Sequence, residues 1–356
     1  MTVSQKIDRG RFFEDFAPGE ILAHPTPRTL HAADASLNIA LTGDRHALLC
    51  SDPFARACGL AGAPLDPWLV FHTVFGKSVP DISRNAVANL GYAEGRWLAA
   101  VHPGETLRAQ SEVIGLKRSS NSKTGVVWVR TRGLRGDGAP VLEYVRWVLV
   151  HAKAPPAAGE QPMSPVLAAA VAPEALQMPE GLHFSAYPWA AAGARWAFED
   201  YEIGERIDHG DGVTIEEAEH QLATRLYQNT AKVHFDAREQ ASSRFGRRLI
   251  YGGVAISIAR ALSFNGLQNA ALTLALNAGR HVAPLFAGDT VYAWSEVLDK
   301  AALSETVGAL RLRLVAIKNE PGVGFPDRTP DGKDHPAMIL DLDYWAASPR
   351  RSEGTA

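Results

Sequence analysis

The chain repeats itself, and the repeat restricts its possible folds more than any other feature. Phe13-Glu14-Asp15-Phe16, with Gly19-Glu20 behind it, returns 185 residues later as Phe198-Glu199-Asp200-Tyr201, with Gly204-Glu205 behind it. GRWLAAVHPGETLRAQSEV, from Gly95, returns 184 residues later as GRHVAPLFAGDTVYAWSEV, from Gly279, without a gap. Two regions that keep nearly one offset mark two copies of one domain, and 356 residues suffice for two domains of ordinary size. The copies are assigned to 1–151 and 182–347, with 348–356 as a frayed tail. Between them 152–181 is rich in Ala and Pro and has no periodic pattern, as suits an extended linker or a wrapping strap.

Each copy reads as a mixed segment, a short helix and then strands. The helices are expected near 67–76 and 253–264; in the second, Val254, Ile258, Ala261 and Leu262 fall on one apolar stripe. Segments 124–134 and 141–151 alternate and are rich in β-branched and aromatic residues, with Gly136-Asp137-Gly138 as a hairpin signal between them. Their counterparts are 290–298, 307–317 and 337–344. A helix followed by an antiparallel meander is an α+β pattern, a sheet wrapped around a helix. Two copies could pair their sheets edge to edge and so cover exposed edges.

Composition narrows the function. A net charge of −3 implies no broad basic surface, so nucleic acid is not an expected partner. Two cysteines, Cys50 and Cys58, cannot form a disulfide framework and lack zinc spacing; they fit a reducing compartment. The N-terminus lacks a signal pattern and no apolar run could span a bilayer, so a cytoplasmic protein without a membrane partner is expected.

The segment Tyr227-Gln228-Asn229-Thr230-Ala231-Lys232-Val233-His234-Phe235-Asp236 is the candidate active site, shortly before Tyr251-Gly252-Gly253 opens the second helix. With these residues the chain resembles the MaoC-like, hydratase 2 branch of the hot-dog superfamily, in which Asp, four residues and His precede a Gly-containing helix start. Finer matches are PLDPWLVFHTVFGKSVPDIS, ANLGYAEGR, DGVTIEEAEH, RLYQNTAKVHF, RFGRRLIYGG, ARALSFNGL and FAGDTVYAWSE. They run through nearly the whole chain and resemble the mesaconyl-CoA hydratase (β-methylmalyl-CoA dehydratase) family. The resemblance implies a double hot-dog fold, two tandem domains each with a central helix wrapped by an antiparallel sheet. It implies an acyl-CoA hydratase of the ethylmalonyl-CoA pathway, with no metal or redox cofactor and coenzyme A as part of the substrate. A homodimer or higher homo-oligomer is also implied.

His234 falls on the motif histidine and Gly252 near the oxyanion glycine. Hydration of an α,β-unsaturated thioester needs an activated water at the β-carbon and a proton at the α-carbon, and one histidine can serve both. Open amides at Gly252 and Gly253 would stabilise charge on the thioester oxygen. The chain departs from the branch at position 229, which is Asn; an Asp there would repel the carboxylate that the family substrate carries on the carbon accepting water. The first copy has Asp44 and Leu49 at the places of Asn229 and His234, and Pro67-Trp68 about where the second has Gly252-Gly253. It is read as scaffold and substrate wall, because Pro has no N–H. Lys232, Arg225, Arg248 and Arg280 are candidates for the substrate carboxylate, Arg247-Arg248 for CoA phosphates, and Tyr227 and Tyr251 for the pocket wall.

Plainer readings stand beside these. Asp236 reads as a helix cap, Trp68 and Phe71 as core, and His220 with Glu216, Glu217 and Glu219 as a solvated helix face rather than a metal site, since HExxH is absent. An (R)-specific enoyl-CoA hydratase of ordinary acyl chains, a thioesterase variant, and a non-catalytic acyl-CoA-binding protein remain open alternatives.

Overall fold

The computed structural model describes residues 6–156 and 159–351. Ten antiparallel strands form one sheet in the order β1-β3-β4-β5-β2-β7-β10-β9-β8-β6. The first half supplies β1 (Ile21–Thr29), β2 (Ala86–Trp97), β3 (Thr106–Arg118), β4 (Thr124–Arg135) and β5 (Pro140–His151). The second supplies β6 (Arg206–Thr214), β7 (Leu272–His281), β8 (Thr290–Ala302), β9 (Val307–Lys318) and β10 (Met338–Pro349). The order is the same from either end, so a pseudo-twofold axis lies between β2 and β7. Register confirms it: Tyr92 faces Gly279 and Gly95 faces Leu276, and each pair is the other with the repeat offset exchanged. Joining the halves at β2 and β7 leaves β1 and β6 as the two edges among the described residues. This is the double hot-dog architecture.

Each half wraps its sheet around a central helix, Pro67–Ser78 in the first and Gly252–Leu262 in the second. Asp66 caps the first by accepting the Trp68 N–H at 2.9 Å, with Pro67 in the opening turn, where its missing N–H costs nothing. All twelve residues of that helix are buried, and ten of the eleven in the second. The repeated Phe-Glu-Asp motifs form matching 3₁₀ turns, Phe13–Asp15 and Phe198–Asp200. Each lays its Phe on a glycine of the facing strand: a Cβ on Gly125 or Gly308 would lie 2.2 Å from the Phe13 or Phe198 ring. The expected hairpin at Gly136-Asp137-Gly138 closes with the Arg135 N–H donating to Ala139 O at 2.8 Å and φ of +95° at Gly138.

Residues 159–181 contact both halves. Met163 bridges to Leu116 of β3, and Val171 accepts a hydrogen bond from Nε1 of Trp345 while donating to Asn277. The expected frayed tail is corrected in part. Ser348 and Pro349 belong to β10, and Arg351 pairs with Asp200 at 2.5 Å; residues 352–356 lie outside the described residues.

Candidate active site

A cavity of about 530 Å³ opens where the two halves meet. The second half contributes Asn229, His234, Tyr251, Gly252, His281 and Arg244, and the first contributes Phe75, Ser83, Asn89 and Tyr92. The size suits a small molecule or the reactive end of a larger one.

His234 sits on a single helical turn, Lys232–Phe235. Its Nδ1 lies 2.9 Å from the Leu249 carbonyl, which can only accept, so Nδ1 carries the proton and Nε2 keeps its lone pair for the cavity. Burial pushes the imidazole pKa down to about 4. The ring is therefore neutral at pH 7, with the Nε2 lone pair unprotonated.

Asn229 is buried, and its Oδ1 accepts the Ala231 N–H at 2.9 Å, which fixes the carboxamide and leaves its Nδ2 donors for the cavity. The segment that carries it is seated on the first half. Lys77, at the end of the first central helix, donates to Gln228 Oε1 at 3.1 Å and to Thr26 O at 2.5 Å, and Arg28 donates to Leu226 O. Gly76 lets the backbones meet: a Cβ there would lie 2.0 Å from Tyr227 O. The half with Leu49 at the place of the histidine thus holds the loop that carries Asn229 in the other.

The second central helix begins at Gly252. As its first residue, Gly252 has no helical carbonyl for its N–H, and it lines the cavity. The preceding amide, of Tyr251, donates to His220 Nε2 at 3.1 Å, so His220 pins the helix start. His220 is 1% exposed, which corrects its expected place on a solvated face; Glu216, Glu217 and Glu219 are exposed. Its position was legible, because His220, Ala223, Leu226 and Tyr227 recur at helical spacing and all are buried. Gly253 does not line the cavity. It packs below His72, where a Cβ would lie 2.6 Å from Nδ1. The structure therefore brings His234, Asn229 and Gly252 together and leaves Gly253 behind them.

His281, which sequence reasoning missed, lies over Gly252, 2.3 Å from where a Cβ would stand, and hydrogen-bonds to Tyr92 at 3.2 Å. A signal existed in the aligned repeat: Trp97 of GRW answers to His281 of GRH. Burial and neighbouring His234 lower its pKa to about 4.

The cation candidates fall elsewhere. Lys232 is exposed and paired with Glu239 at 3.0 Å, and Arg225 is exposed. Arg248 is paired with Glu217, and Arg280 grips Asp334 at 2.6 and 2.8 Å. Arg247 covers the Phe286 ring at 3.9 Å on the exposed surface. None of the five lines the cavity, whereas Arg244 does. Tyr251 lines it; Tyr227 lies behind, its hydroxyl on Asn38 and Ser257. Asp236 caps a turn through the Glu239 N–H, and Trp68 and Phe71 are core. In the first half, Leu49 occupies the histidine's place, Asp44 is engaged by His46 at 2.6 Å, and the Pro67 carbonyl accepts the indole of Trp97.

One armed site between two tandem hot-dog folds defines a MaoC-like double hot-dog protein. The family profile described as Mesaconyl-CoA hydratase matches residues 2–325. A mesaconyl-CoA hydratase of Cereibacter sphaeroides is 60% identical over 348 residues, 97% of this chain and 100% of that one. A β-methylmalyl-CoA dehydratase of Chloroflexus aurantiacus is 52% identical over 351 residues, 98% of this chain and 100% of that one. The crystal structure of a putative MaoC domain protein dehydratase from Chloroflexus aurantiacus superposes with a TM-score of 0.95, at 52% identity, over 98% of this chain and 100% of that one. The chain belongs to the mesaconyl-CoA hydratase family.

Proposed function

We propose that the protein catalyses the reversible addition of water to mesaconyl-CoA, giving β-methylmalyl-CoA, as a hydro-lyase. The observation that carries this reading is that one cavity holds a neutral imidazole with Nε2 open and a helix-start amide at Gly252.

Nε2 of His234 takes a proton as water attacks the β-carbon, and the resulting imidazolium returns a proton to the α-carbon. Charge passing to the thioester oxygen meets the Gly252 N–H and the positive end of its helix. Asn229 orients the water through an amide that brings no charge beside the substrate's own carboxylate. These are acid–base steps, and coenzyme A enters as part of the substrate. Two cysteines and near-neutral charge support a cytoplasmic setting. A homodimer or higher homo-oligomer, and work in acetyl-CoA assimilation through C5 CoA esters, belong to the same proposal.

The test is an absorbance assay of the purified protein with mesaconyl-CoA and crotonyl-CoA. Turnover of mesaconyl-CoA with a higher kcat/KM is expected. Turnover of crotonyl-CoA at least as efficient would point to a hydratase of ordinary acyl chains, and free-thiol release to a thioesterase.

A further inference from the structure

Arg146, on β5 of the first half, is fully buried and makes no ion pair with a carboxylate among the described residues. Its two terminal nitrogens donate to the hydroxyls of Ser83 at 2.8 Å and Ser78 at 2.9 Å, its Nε has no partner, and its plane lies 4.3 Å from the Phe75 ring. Burial lowers its pKa, the usual sign of a desolvated cation. A buried charge without a counter-charge is expensive, and serines and one ring repay only part of it. Of the side chains around Arg146, Phe75, Ser83 and Tyr92 line the cavity and Ser78 does not, so the guanidinium stands behind its first-half wall.

The pseudo-twofold axis supplies a control within the same molecule. The second half also buries an arginine at this level, Arg260, stacked on Tyr344 at 4.8 Å. By the repeat offset Arg260 answers to Phe75, and by strand register Tyr344 answers to Arg146, so ring and guanidinium have exchanged places. Arg260 has protein counter-charge within its field, though in no direct ion pair: it adds to His46 in lowering the pKa of Asp44, and it opposes the rise that burial and Asp44 give Asp66. Those two positions correspond to Asn229 and Tyr251. Where the silent half places two carboxyls, the armed half has an amide and a phenol, and Arg146 is left without an anion.

The wall in front of Arg146 is also short of partners. Asn89 lines the cavity with both Oδ1 and Nδ2 buried and without a partner among the described residues. Ser83 Oγ accepts from Arg146, so its own proton is free for an acceptor on the cavity side. A buried polar group without a partner in a native protein calls for a ligand or water.

We infer that Ser83 and Asn89, backed by Arg146, form the subsite for the carboxylate that the substrate carries on its β-carbon. The subsite rests on the proposed function and adds its specificity: the first half chooses a dicarboxylic acyl group, and the second performs the chemistry. Ser83 and Asn89 donate to the carboxylate, and Arg146 neutralises it from behind.

The experiment compares succinyl-CoA with butyryl-CoA as competitive inhibitors of mesaconyl-CoA hydration; they differ by a carboxylate in place of a methyl group. In the wild type succinyl-CoA should bind about tenfold to a hundredfold more tightly. Ser83→Ala and Asn89→Leu should each cut that ratio by roughly tenfold and raise KM for mesaconyl-CoA, with the Ki of butyryl-CoA moving by less than about threefold. Arg146→Met should abolish the preference, and if it fails to fold, the two wall variants decide. Wild-type turnover with the inhibitor ratio unchanged in both wall variants would overturn the subsite alone, as would a ratio that collapses only in Arg244→Ala. Absence of wild-type turnover with mesaconyl-CoA would overturn the functional reading and the subsite with it.

Discussion

Replacing Gly76 by Ala tests whether the silent half positions the armed one. Position 76 is helical, and in a helix Ala is favoured over Gly by about 1 kcal/mol. Intrinsic propensity alone therefore makes the substitution stabilising. The structure argues the opposite. The added Cβ would lie 2.0 Å from Tyr227 O, 2.9 Å from Gln228 C and 3.0 Å from Asn229 N, whereas ordinary contact begins near 3.4 Å. All three are backbone atoms, so no side-chain rotation relieves the clash. The segment carrying Asn229 must retreat by more than 1 Å, against the grip of Lys77 and Arg28. Misplacement by about 1 Å can cost on the order of 10²-fold in rate, and overpacking costs about 1–3 kcal/mol. Gly76→Ala should thus lose about a hundredfold in kcat/KM for mesaconyl-CoA and melt several degrees lower, although no residue of the cavity has changed. A variant that melts higher and keeps full activity would refute the inter-half seating of the loop.

Two further outcomes follow. His220→Phe keeps the ring's shape but removes the acceptor for the Tyr251 N–H; it should cost about 1–3 kcal/mol in denaturant unfolding and lower kcat more than it raises KM, because the Gly252 amide loses its anchor. Stability should fall as pH drops from 6.5 toward 4, since burial holds His72 and His220 near 3 and His209, His234 and His281 near 4. The unfolded chain then binds more protons than the folded one, and each histidine held near 4 rather than 6.5 costs about 3 kcal/mol once pH lies below both values. Thermal melts that do not change between pH 7 and pH 5 would contradict this.

The repeat carried most of the fold. Its offset of 184–185 residues anticipates the swapped pairs Tyr92–Gly279 and Gly95–Leu276, and hence the axis. The helices and the Gly136 hairpin were legible because their signals are local. That His234 and Gly252 share one cavity was legible through resemblance, as the two are close in the chain as well as in space. The cations were not. Arg225, Lys232 and Arg248 are near His234 in sequence, but their side chains face solvent or acidic neighbours. Arg146 lies 88 residues before His234, inside a strand that reads as ordinary alternation. Its interest is the missing carboxylate, which only packing reveals. Asn89 was hidden for the same reason, since the absence of a partner has no pattern in sequence.

The central claim is that the His234 imidazole moves the protons of hydration. Its most direct test is the steady-state rate of mesaconyl-CoA hydration by His234→Ala, read beside circular dichroism and a melt. The account predicts a loss of about 10²–10⁴-fold in kcat in a folded protein. A folded His234→Ala protein within tenfold of the wild-type rate would contradict it.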